Sequence, residues 1–367
     1  MEAQLSEANT FPSQSYAQSF FSRFPTDNRF LQNSLYKFPP VSTIDNTTKT
    51  VRFMCERLEA ANVYMIQEAN IEVRLKIVKA DGTLPPATAK VAPRNNILHT
   101  MWESCRLFIN DQLVTLNASD YHYKSYICSA LSYPLGAKGT HMQSQGWYSD
   151  FAGEFNEVDP EKNVGFGERS RIFRIENKIE NAFRPDGAEF YGRIFHELIS
   201  CETGLPPKTK IKIELDRAPD SFALQCDSTD AEKYRLLLDY TALYIPVAQL
   251  SFSVFNELSN LIAKVTDGAY TNNVAIHYRR LHIQPCSIPA GNQSYYTKGL
   301  LSNSDSPCKI IVCFVESAAK AGSYHSNPFD FRRSWKIKKT EFVGRDLQEE
   351  LHSYKLDGHI SKIEDQM

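Results

Sequence analysis

"NIEVRLKIV", residues 70–78, alternates apolar Ile71, Val73, Leu75 and Ile77 with charged Glu72, Arg74 and Lys76. A period of two places the apolar set on one face of a strand and the charged set on the other. The stretch therefore reads as a half-buried strand, ended by the turn residues of "ADGTLPP" (80–86). Working outward, "KIKIELDRA" (210–218) repeats the pattern with Ile211, Ile213 and Leu215. "CRLFINDQLVTL" (105–116) reads as a hairpin turning at Asn110-Asp111. Further strands are expected at "YRLLLDYTALYIPV" (234–247), "VAIHYRRLHI" (274–283), "KIIVCFVE" (309–316) and "RSWKIKKTEFV" (333–343). Helical patterns are few: "ASDYHYKSYICSALSY" (118–133) and "QLSFSVFNELSNLIAKV" (249–265). No repeat of 20 to 50 residues recurs. Many short strands with some long connections favour an all-β sandwich of jelly-roll type over a plain meander.

Composition agrees. Of 367 residues, 42% are hydrophobic, 12% aromatic and 23% charged, which suits a folded protein rich in strands. The net charge of −2 does not ask for a nucleic-acid partner. No run approaches the roughly 20 apolar residues of a membrane span. "MEAQLSEANTFPSQSYAQSF" (1–20) begins acidic and polar, unlike a signal peptide. An intracellular location, cytoplasmic or nuclear, is therefore expected. The acceptor-like sites at Asn46, Asn117 and Asn292 are then expected to stay unglycosylated. The eight cysteines are spread out and several sit in apolar runs, so they read as reduced core thiols. Residues 1–45 lack periodicity and read as a poorly ordered arm. Phe11, Tyr16, Phe20, Phe21, Phe24 and Phe30 could anchor that arm on a partner; a simple disordered tail is the alternative.

Chemistry is sparse. "FHELIS" (195–200) lacks the second histidine of a zinc helix, so His196 reads as a strand or loop histidine. "GFG" (165–167) has no third glycine and reads as a flexible loop. No CxxC or GxSxG motif occurs, and Glu349-Glu350 lies in a charged tail with nothing to separate its pKa values. His277 and His282 stand five apart, hence on opposite faces of one expected strand, which disfavours a cupin-like metal enzyme. "FRRSWKIKK" (331–339) could stack on single strands, but reads better as an edge strand with solvated bases. No catalytic, cofactor-binding or metal-binding residue is expected.

Four stretches, in order, resemble the double jelly-roll major capsid proteins of DNA viruses, and most of all those of Polinton (Maverick) elements and adintoviruses. The first is "NNILHTMWESCRLFINDQLVTLNASDYHYKSYICSALSY" (95–133), with its hairpin and a Tyr-rich helix carrying Tyr121, Tyr123, Tyr126 and Tyr133. The second is "GLPPKTKIKIELDRAPDSFAL" (204–224), and the third is "YRLLLDYTALYIPVAQLSFSVFNEL" (234–258). The fourth is "SPCKIIVCFVESAAKAGSYHSNPFDFRRSW" (306–335), with its Asn-Pro-Phe-x-Phe. The resemblance implies tandem jelly rolls and a structural, non-enzymatic role. It also implies a homotrimer of pseudo-sixfold outline that contacts neighbouring capsomers and a minor (penton) capsid protein, inside a virion if particles form. The expected layout is an arm over 1–45, a first jelly roll over 46–265, the start of a second over 270–345, and a charged tail or helix over 346–367. The second unit is expected to be incomplete, since some 90 residues are fewer than the first unit uses. A jelly-roll binding module, lectin-like or receptor-binding, is the rival. In "NPFDF" (327–331), Asn327 and Pro328 should form a turn. Phe329 and Phe331 should then bury on one side of a strand in the second barrel.

Overall fold

The computed structural model describes residues 29–45, 48–56, 61–115, 118–175, 182–201, 204–227, 234–266, 278, 281–289, 310–331, 340–345 and 351–356. Its strands are β1 (Phe30–Phe38), β2 (Thr50–Cys55), β3 (Asn62–Tyr64), β4 (Asn70–Lys79), β5 (Val91–Pro93), β6 (Trp102–Ile109) and β7 (Gln112–Leu113). After a long connection come β8 (Ala188–Arg193), β9 (Ile211–Arg217), β10 (Leu224–Cys226) and β11 (Tyr234–Leu250), and later β12 (Thr340–Arg345) and β13 (Leu351–Leu356).

Eight of these strands build two sheets, ordered β1-β11-β4-β8 and β2-β9-β6-β7, with β3 also beside β11. The antiparallel pairs nest: β1 with β11, β2 with β9, β4 with β8, and β6 with β7. Such nesting is one long double ribbon rolled up, and the β4·β11 and β6·β9 ladders close each sheet. Eight strands in this order make a jelly roll.

The alternation read in the sequence sets the core. Ile71, Val73, Leu75 and Ile77 of β4 are buried, as are Ile211, Ile213 and Leu215 of β9 and Val51, Phe53 and Cys55 of β2. Each such side chain stabilises the fold by about 1.5–3 kcal/mol relative to exposure. Strand β11 keeps its apolar face inward across 17 residues only because of a bulge. Leu236 and Leu238 are buried before it, and Leu243, Ile245 and Val247 after it. One extra residue, Asp239, switches the phase, since a one-residue slip exchanges the faces of a strand. The β6–β7 turn uses Asn110 (φ 48°) and Asp111 (φ 64°), a left-handed pair that Asn and Asp tolerate well.

Several expectations change. Within the supposed arm, Phe30–Phe38 is strand β1, held by the ladder of β11; an edge strand with one partner need not alternate. "GFG" is not a loop but the start of the helix Val164–Ile172, capped by the Asn163 side chain, which accepts from the Phe166 amide. A Cβ at Gly165 would lie 2.2 Å from the Ser149 carbonyl oxygen, so the glycine allows two segments to approach. Residues 310–316 form no strand, and Ile310, Ile311 and Val312 stay exposed, because apolar propensity needs a neighbouring strand before it becomes a ladder. Tyr278 and residues 281–283, expected within a strand, are not in one either. In the supposed tail, Leu351–Leu356 pairs with Thr340–Arg345 as a hairpin, so a partner strand overrides the helical reading of that stretch. The early aromatics of the arm, the three glycan-like asparagines, Cys308, His277, residues 332–339 and Glu349-Glu350 lie outside the described residues.

Candidate functional site

The jelly roll carries a platform on its long β7–β8 connection, and residues 317–331, here called the strap, dock on it. The platform centres on the helix Tyr121–Ser132. Positions 123, 126, 127 and 130 share one face by helical spacing. Tyr123, Tyr126 and Ala130 on that face join Met142, Trp147, Ala218 and Phe222 in an apolar cluster separate from the sandwich core. The other side of the helix points into the sandwich, where Tyr121 is buried.

Phe329 enters this cluster at 2% exposure. Its ring stacks on Tyr126 (centroids 4.3 Å apart, 17° between planes), and Tyr126 in turn stacks on Trp147 (5.0 Å, 28°). Phe222 meets Phe329 edge-on at 5.7 Å, and Phe331 packs half-buried beside it at 6.4 Å. Offset and edge contacts of this kind add about 0.5–1.5 kcal/mol per pair beyond area. Phe329 thus buries, and Phe331 half-buries, against the jelly roll described above, in a turn rather than a strand of a second barrel. A sequence period shows which residues share a side, not which body they meet.

Polar groups fix the strap in register. The Asn327 side-chain oxygen accepts from the Phe329 amide at 3.0 Å, the local turn read from the sequence. Its Nδ2 donates to the Phe155 carbonyl (3.1 Å) and to Asp150 Oδ2 (3.3 Å), while its amide donates to Asn156 Oδ1 (2.6 Å). Arg94 Nη2 donates to the carbonyls of Ser323 (2.8 Å) and Ser326 (3.1 Å). The Tyr324 hydroxyl donates to the Tyr234 carbonyl (3.1 Å), and Lys320 lies 3.5 Å from Asp120. Beneath, Arg169 pairs with Asp150 at 2.6 Å and donates to the carbonyls of Pro93 and Tyr148. Burial lowers the Arg94 guanidinium to about 9, against the opposing pull of Asp150.

Three histidines are buried around the platform and the adjoining end of the sandwich. The Phe195 amide donates to the Tyr121 hydroxyl, and that hydroxyl is hydrogen-bonded to His99 Nδ1 at 3.0 Å. His196 Nδ1 accepts from the Leu198 amide, so its Nε2–H donates to the Ile66 carbonyl at 2.9 Å. His122 lies edge-on to Phe222 at 4.2 Å. Burial lowers His99 to about 3 and His122 and His196 to about 4, so all three are neutral near pH 7. His196 thus holds a buried turn together.

Among the described residues, no group of three or more His, Cys, Asp or Glu could hold a metal, and no helix is long and apolar enough to cross a membrane. Of the described cysteines, Cys55, Cys105, Cys201 and Cys226 are buried. The arrangement is one of attachment: rings and fixed dipoles clamp one chain segment to another. Sequence reasoning missed Arg94, Asp150 and Arg169. The available signal was a lone arginine in the apolar run "KVAPRNNIL" (90–98), where a charge is costly to bury without designated partners.

No family model matches the chain. It is 22% identical to an uncharacterized protein of Caenorhabditis elegans over 277 residues, 75% of this chain and 60% of that one. Among solved structures it is similar to the Sputnik virophage structure (TM-score 0.46, 13% identity, 69% of this chain and 53% of that chain). It is also similar to the Faustovirus major capsid protein (TM-score 0.37, 9% identity, 66% of this chain and 58% of that chain). A third likeness is to the mavirus major capsid protein (TM-score 0.35, 9% identity, 68% of this chain and 54% of that chain). The chain spans about half the length of these solved chains and 60% of the nematode relative.

Proposed function

We propose that this chain is a structural protein of capsid type, in which the jelly roll is a wall element and the strap sets the direction in which the chain leaves it. The observation that carries the reading is the nested eight-strand order with the strap clamped to its end by contacts that perform no chemistry. The four resembling stretches support it by where they fall. They lie on β6–β7 with the Tyr-rich helix, on β9, on β11 with the helix Phe252–Thr266, and on the strap. In this proposal the chain assembles as a homotrimer of pseudo-sixfold outline. It tiles against neighbouring capsomers and a minor penton protein, and it derives from a Polinton/Maverick-type element or a related virus, with the virion as its destination. Tandem jelly rolls belong to the same proposal. Light scattering and electron microscopy of the purified protein test it. A discrete trimer or closed shells support it, and a monodisperse monomer at every concentration overturns it.

A second reading, a lectin-like binding module, is favoured by one surface. The outer face of the β1-β11-β4-β8 sheet presents Tyr191, Tyr240 and Tyr244 near Glu72, Glu189 and Asp239, a shallow mix of rings and acids. Saturable binding to immobilised glycans, lost in Tyr191→Ala, would favour that reading.

A further inference from the structure

Two buried guanidinium groups share one carboxylate at the foot of the strap. Arg94 is 0% exposed and Arg169 1% exposed. Asp150 is already engaged: its Oδ1 receives Arg169 Nη2 (2.6 Å) and Asn163 Nδ2 (2.9 Å), and its Oδ2 receives Asn327 Nδ2 (3.3 Å). Among the described residues, Arg94 therefore has no carboxylate of its own. Its Nη2 is satisfied by the Ser323 and Ser326 carbonyls, while Nε and Nη1 have no acceptor among the described residues. Carbonyls supply dipoles, not a countercharge. The local sum is two positive charges against one negative, in a place sealed from solvent. A buried charge without a partner is among the least tolerated features of a protein interior.

We propose that the Arg94 guanidinium holds a small monovalent inorganic anion of the halide class, in the junction between β5, the Asp150 segment and the strap. One negative charge balances the sum, and a guanidinium offers it an edge of N–H donors. The burial of Arg94 excludes an anionic group carried on a macromolecule. Because Nη2 of the same side chain grips the strap, the ion supports strap docking as well.

Crystals of the full chain grown with sodium bromide, measured at the bromine absorption edge, test the site directly. The expected result is an anomalous peak in hydrogen-bonding contact with Nη1 or Nε of Arg94. In parallel, unfolding is compared in sodium chloride and sodium gluconate at equal ionic strength. The unfolding constant should fall about tenfold for each tenfold rise in chloride above its Kd, as linkage requires. The Arg94→Met variant, of similar reach but uncharged, should lose this chloride dependence. Ordered water in place of bromide overturns the proposal, as does an identical response to both salts. A bromide peak without chloride-specific stabilisation would be an adventitious ion only, and overturns it equally. Should Arg94→Met fail to fold, the diffraction and the wild-type salt comparison still decide.

Discussion

The interior of the sandwich and the strap platform are buried to the same degree but held by different forces. Between the sheets, Phe53, Leu75, Ile213 and Leu215 are sealed by area alone, with no polar atom to satisfy. At the platform, Asn327, Arg94, Arg169 and Asp150 sit as deep, and each requires a partner at a set distance. Non-directional burial tolerates exchange of one apolar residue for another of similar volume. Directional pairing does not, because a lost partner strands a buried polar group. The sandwich should therefore be robust and the platform specific.

Acid offers the largest effect by which to break this contrast. The three buried histidines have native pKa values of about 3 to 4, below the ordinary value of 6.5. The unfolded chain binds protons that the native one refuses. Stability is therefore full above about pH 6.5 and is lost as pH falls toward 4. The slope is at most on the order of 4 kcal/mol per pH unit when all three contribute. Asp220, whose carboxyl burial raises, works in the opposite direction at lower pH. Urea titrations at stepped pH read the slope. His122→Gln should remove about a third of it, and an unchanged slope would show that the platform opens before it titrates.

Next comes Arg169→Met, which takes from Asp150 its 2.6 Å guanidinium partner and from the Pro93 and Tyr148 carbonyls their donor, and should cost about 3–5 kcal/mol in chemical unfolding. Adding Asp150→Leu should return part of that loss; a further loss would show that packing, not pairing, dominates there. Phe329→Ala should also cost about 3–5 kcal/mol, since the ring is fully enclosed and leaves a cavity. The two regions separate by hydrogen exchange: amides of 317–331 should lose protection while those of β4 and β11 keep theirs. Equal loss in both would mean that strap and sandwich unfold as one unit. The smallest effect is expected on the outer sheet face. There Arg74 pairs with Glu189, both partly exposed, and Arg74→Ala should change stability by less than about 1 kcal/mol.

What could be read in the sequence was local. The alternation of β4 and β9, the Asn110-Asp111 hairpin, the amphipathic helix over the tyrosines and the Asn327 turn each depend on residues within a few positions of one another. Period and turn chemistry act at that range, so these elements were legible before any fold was known. The resemblance of four ordered stretches extended that reading to a jelly roll, and the nested strand order agrees with it.

The tertiary structure decided everything that needs a distant partner. Strand β1 exists because β11, some two hundred residues later, supplies its ladder, whereas the equally apolar 310–316 finds none and stays without strand structure. The phase reversal at Asp239 becomes a bulge only against β4. Arg94 lies 229 residues before the Ser323 carbonyl it grips, and Asn327 lies 177 after the Asp150 it contacts. Phe329 and Phe331 carried a visible demand for burial, but the sequence by itself determined only that demand. Which surface met it was fixed by chain closure over long separations, where backbone pairing and the satisfaction of buried polar groups are settled together.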